Sequence, residues 1–104
     1  MPMLDIHEAT VGGDWILWPM GDLDMATARD LGTRMAAVAR EHPHGRLIVD
    51  LAGVDFMDSA GLRVLLTAAR SAGTDGHRLR LRRGRAAVQR VFEVSGTEPL
   101  LPFD

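Results

Sequence analysis

Residues 49–66 read VDLAGVDFMDSAGLRVLL. The stretch opens inside an apolar run, Leu47-Ile48-Val49 and Leu51, interrupted by Asp50. Such near-continuous apolarity fits a central strand buried on both faces. Asp50 is expected at the strand end or bonding loop amides, because an unpaired buried carboxylate is costly. After Val54, the run Asp55-Phe56-Met57-Asp58-Ser59-Ala60-Gly61 reads as a loop that turns into a helix. Leu62, Leu65, Leu66 and Ala69 mark that helix's buried stripe, and Gly73 suits its C′ position. A buried strand feeding a helix is half of a strand–helix–strand crossover, which implies parallel pairing and a right-handed connection.

The flanking sequence repeats the unit. Asp24 reads as the N-cap of a helix over residues 25–41, with Ala28, Leu31, Met35, Val38 and Ala39 on one face. Gly32 weakens that helix by about 1 kcal/mol relative to Ala, and His42-Pro43-His44-Gly45 ends it. Gly21-Asp22-Leu23-Asp24 reads as the preceding turn. Further upstream, Met3–Val11 and Trp15–Met20 form a hairpin about Gly12-Gly13-Asp14. Pro19 lacks an amide donor, which places the second strand near an edge or at its end. Downstream, Leu79 and Leu81 alternate with Arg78, Arg80 and Arg82, a strand with one wet face. A third helix spans Arg85–Ser95, with Ala87, Val88, Val91 and Val94 inward and Gly96 beyond it. Leu100-Leu101-Pro102-Phe103 packs down as a last short element. The order β-β-α-β-α-β-α predicts an α/β fold. One mixed sheet, with an N-terminal hairpin and parallel strands, is covered by helices, in a single domain over residues 1–104.

Composition agrees. The chain has 104 residues, 46% hydrophobic and 25% charged, close to the globular average and unlike a disordered chain. No apolar run reaches the roughly 18 residues of a membrane span; the longest, Leu62–Ala69, contains Arg63. Asp5, His7 and Glu8 break any signal-peptide core. Cysteine is absent, which excludes disulfides and thiolate chemistry and fits a cytoplasmic location. Residues 1–58 carry ten acids against four arginines, and residues 59–104 four acids against eight arginines. Lysine is missing altogether, which reads as compositional bias and excludes Schiff-base or phosphate-loop lysine chemistry.

Ser59 stands where the buried strand hands over to a helix. A helix start presents unpaired amides and partial positive charge, so a hydroxyl there is accessible and a phosphate placed on it would be met by those amides. Phosphorylation adds about −1.5 to −2 charge, near Asp22, Asp24, Asp55 and Asp58 in neighbouring turns. Ser59 also reads simply as an N-cap, as does Asp24, and Asp58 as a turn acid.

GDLD at residues 21–24, the 49–66 stretch and HRLRLRRGRAAVQRVFEVSGTEPLLPFD at residues 77–104 together resemble the STAS domain of the anti-sigma factor antagonist family. The D-S-A-G-L block is the specific part. The resemblance implies a small cytoplasmic protein that binds an anti-sigma factor, often also a serine kinase, and so frees a sigma factor. The kinase phosphorylates the serine of the block, here Ser59, which abolishes binding, and a phosphatase resets it. Asp24 matches the acid of the family's turn. Ala60 replaces the second hydroxyl of many members, leaving Ser59 as the only one in the block. Arg82-Arg83-Gly84-Arg85 stands where a polar loop is common. The implied partner surface comprises Gly21, Asp22, Asp24, Asp58, Ser59, Ala60, Gly61 and Arg63, with neither cofactor nor catalytic residue. No direct nucleic-acid contact or membrane insertion is implied, and the chain is expected to be a monomer or weak dimer.

Other readings are weaker. STAS-like domains also serve as scaffold or regulatory subunits in stress-signalling complexes or beside transporters, without a phosphorylated serine. A nucleophile elbow would need Gly two residues before Ser59, where Met57 stands. A phospho-receiver on Asp50 lacks its lysine, and prosthetic-group carriers are helical. The five arginines of residues 78–85 read as a solvated strand face; a nucleic-acid contact would want stacking aromatics, and the strand has none. Trp15 and Trp18 fall on opposite faces of their strand, with core packing favoured over partner contact. His7, His42, His44 and His77 are scattered without zinc-site spacing.

Overall fold

The computed structural model describes residues 4–75 and 78–104; His77 lies outside them, as do Met3 and the side chain of Arg78. Strand β1 (Leu4–Val11) and strand β2 (Asp14–Leu23) form the antiparallel hairpin. Its two-residue loop is Gly12-Gly13, both at positive φ (55° and 90°), the backbone that a type I′ turn demands and glycine supplies without strain. Helix α1 (Ala28–Glu41), strand β3 (Arg46–Asp50), strand β4 (Val54–Met57), helix α2 (Ser59–Asp75), strand β5 (Arg78–Arg82) and helix α3 (Ala86–Ser95) follow, with a 3-10 turn at Glu98–Leu100. The sheet runs β1-β2-β3-β5, and β4 also pairs with β2. All pairs after the hairpin are parallel, as the crossovers require.

Several sequence expectations change. Residues 54–57 are a strand, which the loop reading missed. Asp22 pairs with Phe56 while Gly21 pairs with Val54, so the register skips Asp55 and Asp55 and Phe56 are both exposed. That bulge hides the alternation by which a strand is recognised. Gly21-Asp22-Leu23 is correspondingly the end of β2 and not a turn. Pro19 is buried in an interior strand. Leu17 is the last residue of β2 paired with β3, and Gly21 is the first paired with β4. Pro19 falls in the gap, where the missing donor costs no ladder bond.

Strand register puts Trp15, Leu17, Leu47, Val49, Leu79 and Leu81 on one face of the sheet. Leu17, Val49 and Leu81 are fully buried there, with Leu31 and Val38 of α1 and Leu65 of α2 above them; each such side chain contributes about 1.5–3 kcal/mol by burial. The opposite face carries Ile16, Trp18 and Ile48 among charged side chains. The two tryptophans do face opposite ways, and both are half-buried, Trp15 against His42 and Trp18 against His7.

In α3 the inward residues are Val88, Gln89 and Phe92, with Val91 half-buried; Ala87 and Val94 are exposed, contrary to expectation. Phe92 decides the rotation. It is the largest apolar group of the helix and packs edge-on against Phe103 at 5.0 Å. The tail does pack down: Leu101 is buried and Phe103 bridges to Leu81. α2 continues to Asp75, past Gly73, the expected C′ residue. Among the described arginines of residues 78–85, four meet carboxylates: Arg80 with Asp104, Arg82 with Asp50, Arg83 with Glu98 and Arg85 with Asp55. They pin strand, loop and tail together, each exposed pair adding at most about 1 kcal/mol. Asp50 also accepts the Ala52 amide at 2.9 Å, as a strand-end acid should.

Candidate functional site

The parallel pairing of β2 with β4 sets Leu23 opposite Met57. The chain leaves both strands at the same edge, so Asp24 and Asp58 follow side by side. The Asp58 amide donates to the Leu23 carbonyl at 3.1 Å, fastening one exit to the other.

Each exit is capped by its own aspartate. Asp24 Oδ1 accepts the amides of Ala26 at 2.9 Å and Thr27 at 3.1 Å, and its carbonyl accepts the Ala28 amide. The regular helix begins at Ala28, later than residue 25, because residues 25–27 form the capping turn. Thr27, only 4% exposed, closes that turn. Its hydroxyl donates to the Asp22 carbonyl and accepts the Asp24 amide at 3.0 Å. This is a capping box with the acid and hydroxyl exchanged, and the D-x-x-T spacing of residues 24–27 was its overlooked signal.

At the second exit the cap is Asp58, not Ser59. Asp58 Oδ1 accepts the Ala60 amide at 2.8 Å and, more weakly, the Gly61 amide at 3.4 Å, while its carbonyl accepts the Leu62 amide. Ser59 is therefore the first helical residue. Its side chain is exposed, and its hydroxyl makes no hydrogen bond among the described residues. The expected reception of a phosphate by free helix-start amides changes too. The amides of Ala60 and Gly61 already serve a carboxylate, so a phosphate on Ser59 would lie beside negative charge.

Gly61 is buried and serves spacing. A Cβ there would lie 2.6 Å from Met57 Cγ and 2.9 Å from Leu23 Cβ, so only glycine lets α2 start this close to both strand ends. Gly21, Asp22 and Ala60 are half-buried around it, and Arg63 is exposed one turn along α2. The structure adds two exposed apolar groups beside these exits: Met25, 87% exposed in the capping turn, and Phe56, 52% exposed on β4. Phe56 went unnoticed because its strand did. Among the described residues no group of His, Asp and Glu could hold a metal ion, and no helix is long and apolar enough to cross a membrane.

A family model described as Mlab, STAS domain, matches residues 19–102. BtrV of Bordetella bronchiseptica, named as an anti-sigma factor antagonist, is 32% identical over 92 residues, covering 88% of this chain and 78% of BtrV. The chain belongs to the STAS-domain anti-sigma factor antagonist family. Solved structures share the fold. An anti-sigma factor antagonist from Mycobacterium paratuberculosis superposes with a TM-score of 0.84 at 24% identity, over 97% of this chain and 85% of the other. The anti-sigma factor antagonist SpoIIAA in its unphosphorylated form gives 0.77 at 20% identity, over 96% and 88%. The Bacillus SpoIIAA in its phosphorylated form gives 0.71 at 19% identity, over 96% and 91%. Within this STAS domain, the D-S-A-G-L block is the capped start of α2, and the G-D-L-D segment is the end of β2, paired with the bulged β4 and fastened to that helix start.

Proposed function

We propose that this STAS domain is a cytoplasmic anti-sigma factor antagonist whose docking surface is the paired exits of β2 and β4, and whose switch is Ser59. Unmodified, the surface offers Asp22, Asp24 and Asp58 for polar contacts and Met25 and Phe56 for apolar ones. It binds an anti-sigma factor and so releases the sigma factor. The anti-sigma factor acts as a kinase. Ser59 Oγ attacks the γ-phosphorus of ATP, the new O–P bond replaces the β–γ bridging bond, ADP leaves, and the hydroxyl proton passes to a base on the kinase. A phosphatase hydrolyses the ester and resets the surface.

The observation that carries this reading is the exposed Ser59 hydroxyl, relieved of the capping role by Asp58. A phosphate there places about −1.5 to −2 charge beside the Asp58 carboxylate, whose Oδ1 holds the local amides. The backbone need not refold; the charge presented to the partner changes. The names of the relatives support the class, and SpoIIAA exists as a phosphorylated structure.

The test is a pull-down of the cognate anti-sigma factor with wild type, Ser59→Ala and Ser59→Asp, with phosphosite mass spectrometry after incubation with ATP. The wild type and Ser59→Ala should capture the partner, and Ser59→Asp should capture much less. Phosphate should appear on Ser59 in the wild type alone. Equal capture by all three forms, or phosphate elsewhere, would overturn the switch.

A further inference from the structure

Helices α1 and α2 each carry the chain from the end of one parallel strand back to the start of another, so they run side by side in the same direction. Their contact is close at Gly32 and opens beyond it. Gly32 sits against Val64, where a Cβ would lie 3.3 Å from Val64 Cγ1. Beyond that point the facing residues are small. A groove of about 540 Å³ opens between the helices, walled by Gly32, Ala36, Val64 and Ala68 and floored by Leu47 and Leu79. From Arg29 to Ala39 it follows α1 for about 15 Å at 1.5 Å per residue. Volume and apolar lining match those of small-molecule sites, which span about 300–1,000 Å³ and carry few polar groups.

The charged groups are concentrated at one end, while the neutral polar ones, Thr33, Thr67 and Ser71, are spread along the groove. Arg29 and Arg63 line the groove near the N-terminal ends of α1 and α2. Arg34, Arg46, Arg80, Arg82, Arg83 and Arg85 all meet carboxylates; Arg29 and Arg63 meet none among the described residues. Two guanidiniums that no carboxylate pairs give the apolar slot a positive head; the helix-start amides nearby are already taken by Asp24 and Asp58 and add nothing to it. The opposite end is lined by Ala39, Ser71 and Ala72, without charge.

We infer that the α1–α2 groove binds an anionic amphiphile, a single alkyl chain with a carboxylate head held by Arg29 and Arg63. The chain lies along Ala36 and Ala68, and the head faces the end of the domain that carries Ser59. Binding here is a second property of the domain, independent of the switch.

The test titrates the isotope-labelled full chain with dodecanoate, below its micelle concentration, by amide NMR. Saturable binding is expected, with shifts centred on Gly32, Ala36, Val64 and Ala68. Dodecanol and dodecyltrimethylammonium should bind at least tenfold more weakly. Arg29→Gln with Arg63→Gln should lower dodecanoate affinity at least tenfold at unchanged thermal stability, and Ala68→Leu should fill the slot and abolish binding. Should the leucine variant fail to fold, the double glutamine variant still decides. Absence of saturation, equal binding of the cationic amphiphile, undiminished affinity in the double variant, or shifts on the opposite sheet face would each overturn the inference. Loss of anti-sigma factor capture in the double variant, without dodecanoate binding to the wild type, would assign the groove to protein contact and overturn it as well.

Discussion

The backbone amide of Asp58 donates to the carbonyl of Leu23 across 3.1 Å, joining two segments 35 residues apart in sequence into one surface. Leu23 is fully buried, so the bond is anchored in the core. Asp58 in turn holds the first amides of α2. Ser59 thereby inherits a rigid footing with its own hydroxyl free.

Asp58→Ala should lower stability by about 1 kcal/mol, the ordinary worth of an N-cap, whereas Ser59→Ala should stay within about 0.5 kcal/mol of wild type, as exposed substitutions do. Urea unfolding of the two variants checks the contrast. Equal losses would mean that the cap is shared.

Gly61→Ala inserts a methyl where Met57 Cγ would be 2.6 Å and Leu23 Cβ 2.9 Å away. Overpacking of this kind costs about 1–3 kcal/mol. The Tm should fall by several degrees, and partner capture should fall with it, because α2 is pushed off the β2 exit. Gly32→Ala, with its nearest contact a side-chain methyl at 3.3 Å, should cost less.

Phe56→Ala and Met25→Ala remove exposed apolar groups from the proposed docking face. Stability should be nearly unchanged, while affinity for the anti-sigma factor should drop about tenfold or more for a contact that is buried on docking. Isothermal titration against the partner, set beside thermal melts, separates docking from folding.

Acid should weaken the β1–α1 contact. Arg34 Nε donates to Glu8 Oε1 at 2.8 Å, and this bond holds the Glu8 carboxyl below its ordinary value against a smaller opposing effect of desolvation; the Trp15 indole adds to it. Arg46 does the same for Asp14. A depressed folded-state pKa means that the unfolded chain takes up protons first. The stabilisation is complete above the ordinary carboxylate range and drains away as pH falls below about 4. Thermal melts from pH 6 to pH 3 should show a steepening loss at the acid end, shallower in Glu8→Gln.

Much of this was legible in residues 49–66. Apolar runs, the Gly-Gly hairpin and helical spacing follow from local chemistry, and those sufficed for the element order apart from β4, for a mixed sheet and for placing Ser59 at the start of α2. What the linear order concealed were outcomes of competition between neighbours. β4 was hidden because its bulge at Asp55 breaks the alternation. The inward face of α3 was misjudged because Phe92 outweighs the aliphatic residues once Phe103 packs beside it. Ser59 and Asp58 are both good caps, and only the geometry at the Leu23 carbonyl gives the role to Asp58. Local propensities act between residues close in sequence and can be read there. Register, burial and the pairing of Arg with Asp or Glu depend on which distant segments meet, and that is settled only when the sheet closes and excludes water from the core.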